Sequence, residues 1–231
     1  MRRDLRTVFA TVVAAVTGIL VVSTLLQGWD RALTAEGGPI ELTGLAVFAL
    51  GGLLVAWQMP AHAWRRWWPV PAIFVLLCLR ELDVHDAFFT PGLLQTRIFT
   101  SPVPIWQKAM SALAMGGILL TLVLIVTRGI GPLGRALWQG RGWAWSVVIG
   151  VVMAIASVLL DGADRQLAAI GVTLPGAESR VWTAIEELLE LGFALSLLLA
   201  VCIWDRTGWP RDGVNATRYG NKVREPQHPI P

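Results

Sequence analysis

Charge is scarce in this chain. Asp, Glu, Lys and Arg make up 15% of its 231 residues, against about 25% in an average globular domain. Two cysteines cannot build a disulfide framework, and the low polar content excludes a disordered polymer. The three histidines, His62, His85 and His228, form no HExxH motif and no pair on spanning segments, which argues against a structural zinc site and against bis-histidine haem. No glycine-rich phosphate loop is present: the segment GIGPLGR from residue 129 lacks the Lys and Ser/Thr that such a loop needs. What remains is apolar surface, with 55% hydrophobic residues and a mean hydropathy of +0.59.

Those numbers place the chain in a bilayer. A spanning helix needs about 20 mostly apolar residues, and six such stretches occur, at 7–27, 40–59, 67–86, 104–127, 143–165 and 181–204. The fold class expected is therefore all-α, a polytopic integral membrane bundle of six transmembrane helices. The segment 1–205 forms the transmembrane domain. Residues 206–231, polar and rich in Pro and Gly, form a disordered cytoplasmic tail. The first stretch reads as a retained helix, because its apolar run is long and no small-residue cleavage site follows it.

Orientation follows from the basic residues, which accumulate in cytoplasmic loops. With six spans, thirteen of the nineteen Lys and Arg fall on the side that holds both termini, among them Arg65, Arg66, Arg128, Arg135 and Arg141. The acids partition the other way, with only Asp4, Asp205, Asp212 and Glu225 on that side. Both termini are expected inside, in a bacterial-type inner (plasma) membrane. The basic balance, a formal net charge of +3, then describes topology and not a nucleic-acid surface. Eight of the 12 Trp, among them Trp64, Trp67, Trp143 and Trp204, flank inner helix ends and read as headgroup anchors. On the outer side, the third loop predicts a short interfacial helix from Pro91 to Phe99 with Leu93, Leu94 and Ile98 toward lipid. The apolar fifth loop is expected to lie in the headgroup layer as a flap.

Ionisable groups inside spans are costly, by about 2.5–3.5 kcal/mol each at a helix centre on insertion scales, so their concentration at three outer helix ends calls for a reason. The third stretch ends in Arg80, Glu81, Asp83, His85 and Asp86, the fifth in Asp161, Asp164 and Arg165, and the sixth begins with Glu186, Glu187 and Glu190. On a helix, Glu186, Glu187, Glu190 and Thr183 share one stripe of roughly 100°. Ser157, Asp161, Asp164 and Arg165 continue a small-residue face formed by Gly150 and Ala154. Crowded carboxylates in a partly dry site bind protons or a cation.

Three functions follow as expectations. The first is a metal-dependent, lipid-handling hydrolase or transferase. In it Glu186, Glu190, Asp161 and His85 act on the reacting groups, a divalent metal ion is held by Glu81, His85, Asp161, Glu186 and Glu190, and Arg80 or Arg165 steers a headgroup phosphate. The second is a proton- or cation-coupled small carrier using the same carboxylates. The third is a non-catalytic accessory subunit that packs against another membrane protein through the small-residue face of the fifth stretch. Membrane lipids are the expected partners throughout, and no nucleic acid is.

Overall fold

A computed structural model describes residues 2–35, 37–83, 92–161 and 176–204. Among them every regular element is helical: α1 (Arg2–Gln27), α2 (Trp29–Thr34), α3 (Pro39–Gln58), α4 (Ala61–Trp67), α5 (Pro69–Glu81), a 3-10 turn (Thr96–Phe99), α6 (Ile105–Trp138), α7 (Gly142–Leu160) and α8 (Gly176–Ile203). Among the described residues four stretches are long and apolar enough to cross a membrane: Leu5–Gln27, Trp29–Gln58, Ile105–Trp138 and Gly142–Leu160. The expected tail, 206–231, lies outside the described residues, as does the fifth-loop flap up to residue 175; its last four residues, 176–179, form the first turn of α8.

Helix α3 is the hub. Its buried positions Ile40, Thr43, Gly44, Val47, Phe48, Gly51, Val55 and Gln58 recur at helical spacing, and that face meets α5 on one side and α8 on the other. Phe48 packs edge-on against Phe193 with centroids 5.6 Å apart, and Phe48, Phe74, Leu191 and Leu198 are among the core residues at the centre of the bundle. Close approach of α5 depends on Gly51, where a Cβ would stand 2.6 Å from the Phe74 ring. Helix α8 in turn packs most extensively on α7.

The structure departs from the expected spans in three places. The third stretch, expected over 67–86, is a 13-residue helix, Pro69–Glu81, about 20 Å long and short of the ~30 Å hydrocarbon layer. Pro69 and Pro71 lack the N–H groups that would join it to α4, and Asp83, at φ +46°, stops it with a left-handed turn. The fourth stretch does not end near 127. Helix α6 runs 34 residues to Trp138, so Arg128 and Arg135 lie on a helix and not in a loop. Pro132 lies inside α6 without an N–H to donate, and the helix closes only where Gly140 takes φ +64° and Arg141 N donates back to Ala136 O.

The third departure is the expected interfacial helix from Pro91 to Phe99. Pro91 lies outside the described residues, and the regular structure on its C-terminal side is the 3-10 turn Thr96–Phe99. Ile98 is fully buried instead of facing lipid. The turn is folded onto α6, where Ser111 Oγ donates to Leu93 O and Lys108 Nζ donates to Phe99 O at 3.0 Å. Those bonds satisfy backbone carbonyls that a lipid-facing turn would leave bare.

Candidate functional site

The outer helix ends expected to converge do so in part. Glu41 lies in the first turn of α3, Arg80 and Glu81 in the last turn of α5, Ser157 one turn from the end of α7, and Glu187 and Glu190 in the middle of α8. The contacts of Glu190 with Arg80 and Ser157 bring this middle part of α8 level with the ends of α5 and α7. Arg80 Nη2 donates to Glu190 Oε2 and lies 3.1 Å from Glu81 Oε1. Ser157 Oγ donates to Glu190 Oε1 at 2.9 Å. Glu190 thus has both oxygens engaged, by a guanidinium from α5 and a hydroxyl from α7, and it ties three helices together.

Burial sharpens the chemistry. The Glu81 side chain is only 7% exposed and that of Glu190 26%. Glu81 faces the open position at Gly44, where a Cβ would come within 3.8 Å of its Oε2. Glu41 and Glu187 stand within electrostatic range of Glu81, and Glu186 and Glu190 within range of Glu187. Glu41 also accepts a 2.7 Å hydrogen bond from Gly37 N, which anchors the chain entering α3. The arrangement is one guanidinium paired with two carboxylates, with further carboxylates within electrostatic range of those two.

Of the residues expected from sequence, the structure joins Arg80, Glu81 and Glu190. Glu186 is half-buried beside Glu187, and Asp161 is exposed where α7 ends, a turn beyond Ser157. His85 and Arg165, together with Asp86 and Asp164, lie outside the described residues. Among the described residues no group of three His, Cys, Asp or Glu side chains has the geometry to hold a metal ion. Arg80, expected to steer a phosphate, is engaged by two carboxylates. The small-residue face of α7, expected to meet another protein, is covered by α8 of the same chain: a Cβ at Gly150 would lie 3.2 Å from Ser196 Cβ and 3.3 Å from Phe193.

Two participants escaped the sequence reading. Glu41 opens the second stretch at the same outer end as Glu81, and following the direction of each span would have found it. The Ser157 face of α7 was legible, but its bond to Glu190 depends on how α7 and α8 are turned toward each other, which periodicity does not fix. No family model matches this sequence, and neither a curated protein nor a solved structure matches it significantly.

Proposed function

We propose that this chain is an inner-membrane protein with six spans, the third made by α4 and α5 together, and both termini in the cytoplasm, and that it works as a proton-coupled carrier whose loading site is the acidic network at the extracytoplasmic end. The observation that carries the reading is Glu190 held between Arg80 and Ser157, with Glu81 paired to the same guanidinium and Glu41 and Glu187 within electrostatic range of these carboxylates. One cation cannot balance four carboxylates, and in a partly dry site the remainder is neutralised by protons or a bound cation. A switchable link joining α5, α7 and α8 is what a carrier needs in order to convert protonation into helix movement.

The metal-dependent hydrolase or transferase draws less support from this geometry, since its phosphate-steering arginine is paired with two of its metal ligands, Glu81 and Glu190. The accessory-subunit reading loses its docking face to α8. The test is an infrared titration of the full chain in lipid vesicles, following the carbonyl stretch of protonated carboxylic acids. The expected result is a band that grows as the pH falls and is markedly weaker in Glu187→Gln and Glu190→Gln. Absence of that band at every pH where the wild type stays folded would overturn the reading.

A further inference from the structure

At the opposite end of the bundle α6 stands away from α7, and the gap between them and α3, α5 and α8 is a cavity of about 930 Å³. Its walls are apolar, with Val70, Ile73, Leu124, Val147, Val151 and Leu197 running along its length. The charged side chains that line it are, among the described residues, all of one sign: Arg66, Arg128, Arg135 and Arg141. Arg128 and Arg135, seven residues apart, share one face of α6, and the glycine-rich segment between them, GIGPLGR, turns out to be cavity wall. At Gly129, Gly131 and Gly134 an added Cβ would meet nothing within 4 Å.

Three of these guanidinium groups donate to neutral acceptors. Arg128 Nη1 donates to Arg66 O, Arg135 Nε to Gly131 O at 3.4 Å, and Arg141 Nε to Gln139 Oε1 at 2.8 Å. A second observation points to a ligand. Gln58 lines the same cavity, is 5% exposed and donates through Nε2 to Val201 O at 3.3 Å, yet its buried Oε1 has no hydrogen-bond partner among the described residues. A buried acceptor left without a donor forfeits its hydration and gains nothing in return, and a bound molecule carrying a hydroxyl would supply the donor.

We infer that this cavity binds one anionic phospholipid, its phosphate against the arginines, an acyl chain along the apolar wall and a headgroup hydroxyl donating to Gln58. Charge complementarity selects this occupant. An apolar slot with basic residues at headgroup depth fits an anionic amphiphile, and guanidinium groups hold phosphate by charge-assisted hydrogen bonds. A zwitterionic lipid would bring its own cation toward the same arginines. The inference concerns the end of the bundle remote from Glu190 and stands apart from the proton-coupled reading.

Native mass spectrometry of the full chain, released from detergent with either phosphatidylglycerol or phosphatidylcholine added, tests it. The expected result is one retained phosphatidylglycerol, favoured about tenfold over phosphatidylcholine. That preference should be lost in Arg128→Gln/Arg135→Gln, where the charge is removed, and in Val147→Trp, where the slot is filled with the arginines left in place. Equal retention of the two lipids by the wild type overturns the inference. So does an unchanged preference in whichever of the two variants elutes as a folded species.

Discussion

At the residue scale, Glu190 and Arg80 are not equivalent halves of one ion pair. Removing the Glu190 charge leaves Arg80 with Glu81, 3.1 Å away. Removing the Arg80 charge leaves Glu81 and Glu190 facing Glu41 and Glu187 with the cation that joins them gone. Breaking a buried pair from the side that strands like charges is the costlier change. Arg80 is 43% exposed, however, so solvent screening reduces the loss. Arg80→Gln is expected to destabilise the chain by about 1–3 kcal/mol and Glu190→Gln by about 1 kcal/mol or less, measured as thermal unfolding in a mild detergent. The sign of the pH effect follows from the charges. Without the guanidinium the carboxylates repel while ionised, so acidification should restore stability to Arg80→Gln while helping Glu190→Gln little. Equal losses in the two variants, independent of pH, would show that the network carries no excess negative charge.

At the element scale, what the sequence revealed and what it concealed have separable causes. The buried face of α3 was legible because its apolar and small residues keep one helical period from Ile40 to Gln58. The short α5 was not, because WWPVPAIFVLLCL is apolar throughout while its two prolines and the turn at Asp83 set its ends. The length of α6 was concealed by Gly129, Gly131, Pro132 and Gly134, which read as loop and are accommodated in a helix. The α3–α5 contact is an exacting one, since Gly51 admits Phe74 only by having no Cβ. Gly51→Ala is therefore expected to destabilise by about 1–3 kcal/mol, as overpacked cores do, although alanine is the better helix former. Adding Phe74→Leu to Gly51→Ala should recover part of that loss, whereas Phe74→Leu alone, which shrinks a buried ring, should be destabilising. Thermal unfolding of the three variants checks this, and additive losses would show that the ring does not sense position 51.

At the scale of the whole molecule, the two ends of the bundle differ in kind. One gathers Glu41, Glu81, Glu187 and Glu190, and the other gathers Arg66, Arg128, Arg135 and Arg141. Between them lies an apolar middle that includes Phe48, Phe74 and Leu198. This separation was expected from the sequence, where basic and acidic residues alternate from one inter-span segment to the next; in the structure it holds for these two groups, while Arg80 and Arg180 stay with the acids. A molecule polarised in this way orients itself by its arginines, which makes the direction of insertion a test independent of both sites. Asp161 and Arg141 are exposed, at opposite ends of α7. In a background with Cys78 and Cys202 replaced by Ala, Asp161→Cys should react with a membrane-impermeant maleimide on cells whose inner membrane is intact and whose outer barrier is opened. Arg141→Cys should react only after that inner membrane is permeabilised. The reverse pattern would invert the topology, placing the acidic network in the cytoplasm and the arginine-lined cavity outside. Reaction at both positions before permeabilisation would mean that α7 does not span the bilayer.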